Sequence, residues 1–164
     1  MQAIYLIGLM GAGKTTVGKD LATALGVSVI DMDAEIVSQE GKSINDIFAE
    51  NGEAYFRDLE STFIKTLPLE NAIITTGGGI VMNEANRQWM KEHGFVVFLD
   101  ANPAEILERL QNDQSRPLLK KDKETALFEL YNQRLPLYLD CCHMKIDTTG
   151  KDIPTIVKEI IARF

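Results

Sequence analysis

Residues 8–15 read Gly8-Leu9-Met10-Gly11-Ala12-Gly13-Lys14-Thr15 and match the pattern G-x-x-x-x-G-K-[ST]. That spacing suits one task, the holding of a polyphosphate. Glycines let a loop curl until its backbone N–H groups face phosphate oxygens. A helix starting near Lys14 would add the partial positive charge of its N-terminus. The Lys14 ammonium can reach β- and γ-phosphates, and the Thr15 hydroxyl can ligate Mg²⁺. Such a loop marks nucleoside-triphosphate chemistry and leaves the acceptor unnamed.

Candidate acceptor chemistry is scattered. Asp31 and Asp33 close the second strand pattern, where a parallel sheet presents ligand-binding loops. Two carboxylates there suit a water-mediated Mg²⁺ contact and a base for an attacking hydroxyl. Asp33 could equally cap the following helix. Gly77-Gly78-Gly79 ends the third strand. Its run of N–H groups could hold a hydroxyl or carboxylate, or it could be a tight turn. Of six arginines, Arg57 has Glu60 one turn later, Arg116 precedes Pro117-Leu118-Leu119, and Arg134 precedes Pro136-Leu137-Tyr138. Arginine binds planar carboxylates and phosphates at two points, although surface solvation is its commoner fate.

The elements that must position these residues follow from the apolar patterning. Residues 3–9, 27–31, 72–76, 95–100 and 144–147 read as strands. Residues 14–25 read as a helix with Val17, Leu21, Ala24 and Leu25 on one face, stopped by Gly26. Further helices are predicted over 33–40, from a Ser43 cap to Gly52, and over 53–67, 83–93, 103–110, 124–139 and 153–164. Pro136 should bend or end its helix. The polar, basic stretch 111–123 reads as a mobile loop. Strands alternating with helices imply an α/β fold with a parallel sheet covered on both faces.

Composition sets the outer limits. The chain has 164 residues, near the size of one domain. Its 17 basic and 24 acidic residues give a net charge of −7, which argues against a nucleic-acid surface. No apolar run approaches a membrane span, and the first residues lack the basic start and cleavage site of a signal peptide. Adjacent Cys141 and Cys142 read as reduced thiols, which suits a cytoplasmic protein. His93 and His143 lack ligand spacing, and Trp89 reads as helix packing.

Taken in order, Gly11 to Gly18, Asp31-Met32-Asp33, Phe56-Arg57 with Glu60, the glycine triplet, Arg116-Pro117-Leu118-Leu119 and Arg134 with Pro136-Leu137-Tyr138 resemble the shikimate kinase family over essentially the whole chain. The resemblance implies a three-layer domain spanning residues 1–164. Its five-stranded parallel sheet would have the order 2-3-1-4-5, with an acceptor subdomain near 33–60 and a lid near 112–123. It implies ATP and Mg²⁺ as cofactors and shikimate as substrate. Gly11, Ala12, Gly13, Lys14, Thr15 and Thr16 would cradle ATP phosphates, with Arg109 and Pro154 flanking adenine. Asp33 would be the candidate base, and Arg57 and Arg134 would clamp the carboxylate. Gly78 and Gly79 would offer backbone contacts. Thr15 would bind Mg²⁺ directly and Asp31 through water. Lys14, Asp33 and Arg116 would be catalytic, with Arg116 closing from the lid. Phe48 would stand near the substrate. A monomer without membrane or nucleic-acid partners is expected. Another small-molecule P-loop kinase, such as a gluconate or nucleotide kinase, and a nucleotide-switch module are the alternatives.

Overall fold

Strand β1 (Ala3–Ile7) runs through the middle of the sheet and is buried along its whole length. Its run of apolar residues is what a strand covered on both faces requires. The computed structural model describes residues 1–111 and 120–164. In it β1 is joined by β2 (Ser28–Asp31), β3 (Ala72–Thr75), β4 (Gly94–Asp100) and β5 (Met144–Asp147). All pairings are parallel and the order is β2-β3-β1-β4-β5, as expected from the resemblance. Ile4 stands in register with Ile73 on one side and Phe95 on the other. β2 lies at an edge and is the less buried for it.

Helix α1 (Lys14–Leu25) follows β1 and stops at Gly26, at the predicted bounds. Its inward face is Val17, Gly18, Leu21 and Ala22. Ala24, expected on that face, is exposed, and Leu25 is half-buried. Gly18 takes over because the helix presses so closely on β3 that a Cβ there would lie 2.5 Å from Thr75 Cγ2. Three short helices then leave the sheet: α2 (Met32–Glu40), α3 (Ile44–Asn51) and α4 (Glu53–Phe63). Ser43 caps α3, its Oγ accepting from the Asp46 N–H at 3.1 Å. These helices enclose a small apolar cluster of their own, Ile36, Ile47 and Phe56, separate from the main core.

The remaining helices are α5 (Glu84–His93), α6 (Pro103–Gln111), α7 (Lys120–Cys141) and α8 (Ile153–Ile161). In α5, Trp89 stacks on His93 with ring centroids 3.9 Å apart, a packing role as expected. Two expectations need correction in α7. The helix already begins at Lys120, so the last residues assigned to a mobile loop are helical; residues 112–119, with Arg116, lie outside the described residues. Nor does Pro136 end the helix. Proline forfeits one backbone bond, but beyond it Tyr138 and Cys141 are fully buried against the core, and that packing carries the helix on. Both cysteines are free, and burial pushes the Cys141 thiol up to about 12.

Candidate active site

The carboxyl ends of β1, β2 and β3 meet at one edge of the sheet, and the candidate residues gather there. After β1 the chain turns through Gly11 (φ 78°) and Gly13 (φ 95°), both left-handed, and enters α1. That helix starts without a side-chain cap and without an acid in its first turn. Its first N–H groups therefore face an anion site with nothing built in to satisfy them. Lys14 is 9% exposed and folds over the loop, its Nζ donating to Gly8 O at 2.5 Å and Leu9 O at 2.8 Å. The ammonium thus stays on the loop, where a phosphate would need it. Arg109 flanks one side, with Nη1 donating to Gly11 O at 2.9 Å and Nη2 to Glu105 at 3.1 Å. On the other, Ile153 Cδ1 would lie 4.0 Å from a Cβ on Gly13, and Pro154 follows it in the first turn of α8. A cleft of about 310 Å³ adjoins α6, lined by Asp100, Asn102, Pro103, Tyr131, Asp147 and Thr149.

Asp31 resolves the question of which aspartate caps α2. Its Oδ1 accepts from the Ala34 N–H at 3.1 Å, so the cap is Asp31, not Asp33. Its Oδ2 accepts from the Thr15 hydroxyl at 3.4 Å. Thr15 and Asp31 are hard oxygen donors side by side at the phosphate loop, the donor set that suits Mg²⁺. β2 ends at Asp31, so Asp33 lies not on the strand but in the first turn of α2.

The glycine triplet forms the floor of the other half. A Cβ on Gly77 would lie 2.9 Å from Asp33 Oδ1 and 3.1 Å from Glu60 Oε2. One on Gly78 would lie 3.2 Å from Arg134 Nη1 and 3.4 Å from the Met10 N of the phosphate loop. One on Gly79 would fall 2.5 Å from both Nη atoms of Arg57. None of the three has a positive φ; the requirement is space. Each glycine gives room to a different charged group. Two Cα steps of about 3.8 Å separate the carboxylate end from the Arg57 end, roughly the width of a small ring.

The charges are held in place. Arg57 Nη1 donates to Glu60 Oε1 at 2.7 Å, the pair its spacing foretold, and Nε and Nη2 reach Glu53 at 3.4 Å. Glu60 is 1% exposed. Burial raises its pKa most; Arg57 lowers it and Asp33 raises it further. Arg134 is partly buried, and its Nε has no hydrogen-bond partner among the described residues. A buried guanidinium donor facing a glycine floor is suited to a carboxylate. Phe48 is exposed and packs edge-on against Phe56 at 5.1 Å, while Phe56 lies 5.3 Å from the Arg57 Cζ.

Asp33, Arg57, Arg134, Gly78 and Gly79 are thus brought together, and Lys14, Thr15 and Asp31 adjoin them. Sequence reasoning gave no role to Glu53 or to Tyr138, whose hydroxyl donates to Gly78 O at 2.6 Å. A signal for Tyr138 was present: it follows Arg134 by four residues, on the same face of a helix.

Comparisons with known proteins agree with this geometry. Residues 10–164 match the model of the shikimate kinase family. A shikimate kinase of Bacillus cereus (strain AH187) is 48% identical over 160 residues, covering 98% of this chain and 96% of that one. A solved shikimate kinase from Acinetobacter baumannii in complex with shikimate superposes with a TM-score of 0.92 at 36% identity, covering 99% of this chain and 92% of that one. The shikimate kinase of Aquifex aeolicus gives a TM-score of 0.83 at 41% identity, covering 98% and 94%.

Proposed function

The chain belongs to the shikimate kinase family, and from that premise we propose how its own residues transfer the γ-phosphoryl group of ATP to the 3-hydroxyl of shikimate. The observation that carries the reading is the glycine floor, where a carboxylate pair, Arg134 and Arg57 converge beside the phosphate loop. Shikimate bears one carboxylate on a ring of hydroxyls. Arg57 and Arg134 hold the carboxylate, and the N–H groups of Gly78 and Gly79 line the ring. Asp33, at the opposite end of the floor, takes the proton as the hydroxyl oxygen bonds to phosphorus and the bond to the ADP oxygen breaks.

On the donor side, the backbone from Gly11 to Thr16 and the α1 N-terminus hold the phosphates, and Lys14 neutralises charge on the group in flight. Thr15 would hold Mg²⁺ directly and Asp31 through water; the ion supplies charge neutralisation between the phosphates. Arg109 and Pro154 flank the base. Arg116 remains the proposed closing charge of the lid. The acceptor subdomain corresponds to α2 through α4. Among the described residues no helix is long and apolar enough to cross a membrane. The net charge of −7 and the adjacent free cysteines support assignment as a cytoplasmic enzyme without nucleic-acid partners, and we take it as a monomer.

The test is coupled ADP release with ATP and Mg²⁺, with shikimate, with gluconate, and with neither. A rate that depends on shikimate and not on gluconate is expected. ATP turnover indifferent to shikimate would leave the phosphate loop standing and remove the acceptor assignment.

A further inference from the structure

We infer that Tyr138 is a positioning residue for the acceptor: by holding the Gly78 carbonyl, it turns the Gly78–Gly79 peptide so that the Gly79 N–H faces the cleft. The inference rests on the reading of Gly79 as an acceptor contact. Three observations carry it. First, Tyr138 is 0% exposed, and its hydroxyl donates to Gly78 O at 2.6 Å. Second, its ring is fixed independently of that bond, stacked on Phe98 at 4.8 Å with planes 23° apart. Third, it stands one turn after Arg134 on α7, and Arg134 Nη1 lies over the same glycine, 3.2 Å from where a Cβ would be. One helix face thus delivers a guanidinium and a hydroxyl to one glycine.

The physics is that of the planar peptide. The described residues contain no cis peptide bond, so the Gly78 C=O and the Gly79 N–H point in opposite directions. A carbonyl drawn inward to a buried hydroxyl sends the next N–H outward. The Ile80 N–H to Gly77 O bond at 3.2 Å closes a turn around this peptide, but with glycine at both central positions the turn accepts either orientation of the plane, and the partner of the Gly78 carbonyl selects one. The bond to the carbonyl also polarises the peptide and strengthens its N–H as a donor. Burial pushes the tyrosine up to about 12, with Arg134 opposing, so the hydroxyl is a proton donor throughout the working range.

Tyr138→Phe isolates the hydroxyl, because the ring and its stacking on Phe98 survive. Steady-state kinetics should show the shikimate KM rising about tenfold while the ATP KM stays within about twofold, the loss of one hydrogen bond felt on one substrate. An unchanged shikimate KM, or an equal rise in both KM values together with a lower melting temperature, would overturn the inference in favour of a packing role. A second measurement needs no variant. In the wild-type enzyme with ¹⁵N-glycine labels, the Gly79 amide resonance should shift on saturation with shikimate. If it stays still in an enzyme that turns shikimate over, the inference fails even should the variant not fold. Wild-type protein without shikimate-dependent ADP release would instead remove the acceptor reading, and this inference with it.

Discussion

The donor and acceptor halves of the cleft are built from different materials. The heart of the proposed donor half is one continuous stretch, residues 8–15, read as holding phosphate mainly through backbone N–H groups, with Lys14 and Thr15 as its own side-chain contributors and Arg109 and Asp31 beside it. The acceptor half is assembled from four separate segments carrying Asp33, Arg57 with Glu60, the glycine triplet, and Arg134 with Tyr138. A backbone site tolerates most side chains so long as its dihedrals are kept. A side-chain site depends on each group and on the space left for it.

The most severe way to test that contrast is to remove the ammonium of the phosphate loop itself, a charge that backbone cannot replace. Lys14→Ala should lower kcat about a thousandfold, in the range expected when a preorganised electrostatic contact is lost. Retention of most of the kcat would show that the loop's amides suffice. Arg134→Ala should come next, raising the shikimate KM about a hundredfold through lost charge-assisted bonds while sparing the ATP KM. Equal effects on both substrates would dissolve the separation between the halves. Gly79→Ala tests space alone. Its new methyl meets the Arg57 guanidinium at 2.5 Å and should displace it, raising the shikimate KM roughly thirtyfold with little loss of fold, since Arg57 is partly solvated. A normal KM would mean that the Arg57 fork gives way freely.

The smallest effect concerns Glu60, the buried carboxylate of the acceptor half. Burial holds its pKa above the ordinary range, so the folded protein grips the proton more tightly than the unfolded chain does. The resulting stability is fully present below the unfolded value of about 4.3 and is lost as pH rises through the folded value. Glu60→Gln cannot titrate there. Wild type should therefore gain on the variant in melting temperature as pH falls from neutrality towards the unfolded value. A gap that stays constant across that range would contradict the assignment.

The same contrast explains what could be read in the sequence. The phosphate loop is a string, so its residues, its helix and its stop at Gly26 were all legible. The Arg57–Glu60 pair was legible because helical spacing brings the two together within one segment. Which aspartate caps α2 was not legible, because either could in principle do so and only the backbone angle at β2 selects Asp31. The passage of α7 through Pro136 was equally hidden, since local propensity says stop and only the burial of Tyr138 and Cys141 says continue. Glu53 and Tyr138 were missed because their partners are a neighbouring side chain already spoken for and a distant carbonyl.

The glycine floor also constrains how this protein can vary over generations. Any change of a glycine codon to another amino acid adds at least a Cβ, and at residues 77–79 that atom arrives where Asp33, Glu60, Arg134 or Arg57 already stands. Accommodating it means shifting a charged group of the site, and restoring the arrangement would take a second change at a residue far away in the chain. Such positions behave as locked pairs in a mutational landscape, coupled by contact rather than by sequence. The acceptor half is thereby held in place by its emptiest residues.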